Sequence, residues 1–147
     1  MAVYINSLFK YNNLNSLFLN QSDLCDICCI EIPSTNSKNI VIISCYKESD
    51  TDPTAFINYL TNIMDTLHLK NKHAFLIGDF NLDLMHYTSS NVINHFISST
   101  ADFGLLPTIT LPTRITSTSS TLIDNIFTNC LFNNHLPRLF FTTFQIT

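Results

Sequence analysis

A carboxylate and a carboxamide stand two residues apart in Gly78-Asp79-Phe80-Asn81, directly after the apolar run Ala74-Phe75-Leu76-Ile77. At a strand's end such a pair suits phosphoester hydrolysis. The carboxylate can take a proton from water, while the amide holds a phosphate oxygen or fixes the carboxylate's orientation. The same four residues also make a good turn, since Gly and Asn accept positive φ and Asp can bond its own backbone. A second acid, Asp124, sits inside Leu122-Ile123-Asp124-Asn125-Ile126-Phe127. On a buried strand an unpaired carboxylate is costly, so this one needs a partner. Cys25, Cys28 and Cys29 suggest metal ligands, but a structural zinc takes four, usually as two pairs, and Cys45 and Cys130 are isolated. They read as small apolar residues of a buried strand, so neither zinc nor a disulfide is expected. The odd cysteine count also fits a reducing compartment.

Hydrophobic period and punctuation supply the elements that must position these groups. Strands are predicted over residues 3–5, 25–32, 40–46, 74–79 and 122–127, with a weaker one over 139–142. Asp52-Pro53 offers a cap and a first turn to a helix on which Phe56, Ile57, Leu60, Ile63, Met64 and Leu67 recur at helical spacing. A shorter helix over 91–99 would turn Val92, Ile93, Phe96 and Ile97 inward. Segments 10–23 and 108–120 are rich in Asn, Ser and Thr and read as loops. Helices mixed with strands indicate α/β layering.

At 147 residues, 46% hydrophobic and 12% charged, the composition suits one globular unit around a buried sheet. No apolar run is long enough to cross a bilayer. Met1-Ala2-Val3-Tyr4-Ile5-Asn6 lacks the basic segment and long apolar core of a signal peptide. The expected location is intracellular, nuclear or cytoplasmic.

A tyrosine at a strand end (Tyr46), then Gly78-Asp79-Phe80-Asn81, then Ile123-Asp124-Asn125-Ile126-Phe127 is an order that resembles the endonuclease/exonuclease/phosphatase superfamily. The flanking phrases Leu106-Pro107, Pro112-Thr113-Arg114 and residues 121–129 are similar to the endonuclease domain of non-LTR (LINE-type) retrotransposons, in which a reverse transcriptase domain follows. The resemblance implies a four-layer α/β sandwich, two β-sheets flanked by helices. It also implies magnesium-dependent hydrolysis of phosphodiesters in DNA. In it Asp79 orients or deprotonates the attacking water, Asn81 and Tyr46 contact the phosphate, and Asp124 orients a histidine.

The sequence departs from that pattern at both ends. The resemblance implies an early Asn and a metal-binding Glu before the segment at 3–5, and neither Glu31 nor Glu48 has matching flanks. Mg2+ is therefore left with Asp79 and Asp124 as weak candidate ligands. The closing Ser-Asp-His motif is also missing. His135, in Asn134-His135-Leu136-Pro137, reads as a loop residue, whereas Phe144-Gln145-Ile146-Thr147 reads as Ile-Ser-Asp-His after a one-base change of frame if its codons are TTT, CAG, ATC and ACN following an A. The expectation is a single domain over 1–147, incomplete at both ends and impaired in catalysis. The alternatives are an inactive fragment or a noncatalytic interaction module. A net charge of -4, with Lys47, Lys70, Lys72, Arg114 and Arg138 forming no run, predicts weak autonomous DNA binding. The sequence leaves oligomeric state open.

Overall fold

The computed structural model describes residues 3–17 and 23–130. Its main sheet contains β1 (Asn12–Asn13), β2 (Cys25–Ile32), β3 (Ile40–Lys47), β4 (His73–Asp79), β5 (Leu106–Pro107) and β8 (Asp124–Thr128). Their spatial order is β1-β2-β3-β4-β8-β5. A two-stranded ribbon, β6 (Arg114–Ile115) with β7 (Ser120–Thr121), stands apart from it. Among the described residues, β3 and β4 are the one neighbouring pair joined by a helical crossover and pair in parallel; the other neighbours are antiparallel.

That crossover is α1 (Pro53–Thr66). It begins where the Asp52 carboxylate accepts the amides of Thr54 and Ala55, both at 3.1 Å, with Pro53 preset for the first turn. Beyond its end His68 takes a left-handed φ of 51° and redirects the chain toward β4. The expected face is the buried one: Phe56, Ile57, Leu60, Ile63, Met64 and Leu67 all lie in the core. Val41, Ile43 and Cys45 of β3, Ala74 and Leu76 of β4, and Phe127 of β8 alternate into the same cluster. α2 (Asn91–Ala101) joins it through Ile93 and Phe96 and runs two residues past its expected end. The α/β class and the layering of helices on a sheet hold.

Four local expectations are corrected. Residues 3–5 form no strand: they pair with nothing among the described residues, and Tyr4 is 95% exposed. Pairing occurs instead at Asn12–Asn13, inside the segment read as loop. Segment 108–120 is not all loop, since β6 lies within it and meets β7 as a hairpin. Hydroxyls close that hairpin rather than Gly or Asn, for Thr116 Oγ1 accepts the Ser119 amide at 3.0 Å and the Thr116 amide donates to the Ser119 carbonyl at 2.8 Å. The strand expected over 122–127 starts later, at Asp124, because Leu122 and Ile123 give their carbonyls to the turn after β4. The expected strand at 139–142, His135 and residues 144–147 lie outside the described residues.

Candidate active site

β3, β4 and β8 meet at one end of the sheet. Register places Tyr46 opposite Asp79, and Asp79 opposite Asp124, so three candidates from separate motifs stand side by side on consecutive strands. Gly78 permits the close approach of β3: a Cβ there would stand 1.8 Å from the Cys45 carbonyl oxygen.

The turn after β4 divides its residues between core and site. Phe80 is fully buried, its ring 5.2 Å from Phe96 and 5.5 Å, edge-on, from Phe127. With that ring anchored, Asp79 and Asn81 face the other way. Asn81 takes a left-handed φ of 47°, the turn property read from its type, and its amide donates to Asp79 Oδ1 at 3.0 Å. Its side chain also has a structural bond, Nδ2 donating to the Lys47 carbonyl at 2.6 Å. The turn reading of the motif is therefore realised, and both polar side chains line the same pocket. Phe80 and Leu84 amides donate to the Ile123 and Leu122 carbonyls, while Asp83 Oδ1 accepts the Leu122 amide at 2.9 Å. Those bonds lock the turn to the segment leading into Asp124.

The result is an open pocket of about 480 Å3 lined by Tyr46, Ser49, Asp79, Asn81, Thr113, Arg114, Ile123 and Asp124. All four sequence candidates are in it. Asp124 is half-buried at its edge rather than inside an apolar strand, and its amide is held by Thr113 Oγ1 at 3.2 Å. Burial pushes the Asp79 carboxyl above its ordinary range; the Asn81 amide opposes this, Asp124 adds to it, and Arg114 relieves it. Sequence reasoning missed Ser49, which carries no motif. It noted Thr113 only in a flanking phrase and Arg114 there and among scattered cations, although Arg114 is the one cation among the described lining residues.

The donors suit a hard cation, being oxygens alone, and the mutual repulsion of Asp79 and Asp124 is the field a cation would relieve. They supply two carboxylates. Among the described residues no group of three or more His, Cys, Asp or Glu could hold a metal ion. Any ion there would take the rest of its shell from water and ligand.

The sequence matches no family model and no curated protein. Among solved structures, the endonuclease domain of TRAS1, a telomere-specific non-LTR retrotransposon, superposes with a TM-score of 0.62 at 15% identity, covering 81% of this chain. The fold is that of the endonuclease/exonuclease/phosphatase proteins. An endonuclease/exonuclease/phosphatase family protein from Leptotrichia buccalis also matches, with a TM-score of 0.48 at 20% identity over 70% of this chain and 42% of its own. The chain spans about half of the TRAS1 domain, 53% of its length. Within this endonuclease/exonuclease/phosphatase fold, the strand ends carrying Tyr46, Asp79 and Asp124 line the pocket.

Proposed function

We propose that the pocket binds and hydrolyses a phosphodiester, as a divalent-metal-dependent, DNA-nicking endonuclease of retrotransposon origin. The observation that carries this reading is the side-by-side register of Tyr46, Asp79 and Asp124 in one pocket with Asn81 and Arg114. Ionised Asp79 takes the proton of the attacking water. The Asn81 carboxamide, oriented by the Lys47 carbonyl, and the Tyr46 hydroxyl bond phosphate oxygens, while Arg114 balances the developing charge. Asp79 and Asp124 would hold Mg2+, which commonly binds through one or two carboxylates plus substrate phosphate. When bound, the ion supplies Lewis-acid polarisation of the phosphoryl oxygen. Likeness to the TRAS1 endonuclease domain favours DNA among phosphoesters.

Among the described residues the lining includes no histidine and no glutamate to serve as the acid that protonates the leaving oxygen. A low rate is expected. The same gap, with a net charge of -4, favours as second reading a noncatalytic domain that keeps the sheet for protein contacts. Supercoiled plasmid incubated with MgCl2 and the chain, or its Asp79→Ala variant, separates them. Slow magnesium-dependent nicking, reduced about 100-fold or more in the variant, is expected. No nicking by a chain that melts cooperatively supports the noncatalytic domain, and noncooperative melting marks an inactive fragment.

A further inference from the structure

Lys47 ends β3, and alternation turns its side chain toward the face of Val41, Ile43 and Cys45, away from the pocket face of Tyr46. Only 2% of it is exposed. A lysine this buried needs its ammonium satisfied, and Nζ donates to the carbonyls of Glu48 at 2.8 Å and Thr51 at 3.0 Å. The Thr51 hydroxyl donates to the same Glu48 carbonyl at 3.0 Å and its amide does so at 3.4 Å, so residues 48–51 form a turn closed around the ammonium. Ser49, inside that turn, lines the pocket. Lys47's own carbonyl accepts the 2.6 Å bond from Asn81. Two lining residues, Ser49 and Asn81, are thus tied to one residue that does not line the pocket itself.

Burial pushes the Lys47 ammonium down from the ordinary lysine range, and the fields of Asp52 and Asp50, with Cys25 and Cys45, push it back up. A buried charge is weak evidence of stability, since a hydrophobic residue of similar size often serves as well. Its geometry accounts for its presence better.

We propose, resting on the phosphodiester reading above, that Lys47 is a positioning residue of the pocket. Its ammonium fixes the turn that brings Ser49 to the mouth, and its carbonyl fixes the Asn81 carboxamide that meets the phosphate. The charge sets substrate affinity without touching substrate.

Lys47→Met keeps the unbranched apolar stem, one atom shorter, and loses its donors, whereas Lys47→Arg keeps the charge. Amide hydrogen exchange and plasmid nicking on the full chain test the difference. In Lys47→Met, exchange across residues 48–51 accelerates about tenfold or more while Leu76 and Ile77 keep wild-type rates. The melting temperature stays within a few degrees, and KM rises about tenfold with a smaller change in kcat. Lys47→Arg restores slow exchange in the turn. Unchanged exchange at 48–51 in Lys47→Met overturns the proposal, as does acceleration spread evenly over the sheet, which marks lost packing. If wild type nicks no DNA, the phosphodiester reading fails by itself, and the exchange comparison still decides whether Lys47 fixes the turn. Should Lys47→Met not fold, Lys47→Arg decides alone: wild-type rates at 48–51 support the proposal and faster rates overturn it.

Discussion

Asp79 is held in a state that its removal relieves. Burial and Asp124 raise its carboxyl above the ordinary range despite the Asn81 amide and Arg114. A raised folded pKa means that the folded chain binds this proton more tightly than the unfolded chain, so stability falls as pH rises through that window and the penalty persists at neutrality. Asp79→Asn should therefore raise the melting temperature at pH 7 and leave it unchanged in acid below the ordinary aspartate range, where Asp79 is itself protonated. Calorimetry at the two pH values checks this; an equal shift at both would refute the electrostatic account. The four motif residues were legible because an apolar run must end before Asp79 and because their types suit a phosphoester. Lys47 was not. A lysine beside Glu48 reads as solvated, and only carbonyls arriving from the following turn make its burial tolerable.

The helices were legible at the scale of elements, since cap, proline and apolar spacing agree over α1 and α2. The ribbon was hidden. Its strands are two residues long, and its turn is closed by hydroxyls that resemble ordinary loop composition. Asn125 was hidden for a related reason. It is 1% exposed, its Oδ1 accepts the amides of Thr108 and Ile109 at 3.2 Å each, and its Nδ2 donates to the Ile109 carbonyl at 2.8 Å. One side chain thereby moors the segment between β5 and the ribbon to β8. Asn125→Ala strips partners from these main-chain groups and should cost about 2–3 kcal/mol in urea unfolding. A loss below about 0.5 kcal/mol, typical of surface substitutions, would show that water replaces it freely.

For the whole molecule, a net charge of -4 leaves little general attraction for nucleic acid, so on the proposed nuclease reading the burden falls on Arg114. Arg114→Gln should weaken DNA binding and reduce the slope of log Kd against log salt by about one, the loss of a single phosphate contact. Fluorescence anisotropy across a salt series measures it, and an unchanged slope would remove Arg114 from the phosphate path. The α/β class was legible from the alternation of elements, whereas sheet order beyond β4 was not, because β4 pairs with the distant β8 and β5 lies outside β8. β8, last of the described strands in sequence, closes against β4 near the sheet's middle. Tyr46 and Asp79 meet once the α1 crossover has formed, but Asp79 meets Asp124 only after a longer loop closes, which slows that step. During synthesis the pocket is consequently a late product: a nascent chain that has released β3, α1 and β4 carries one acid at an open strand edge, and gains its second only when β8 arrives.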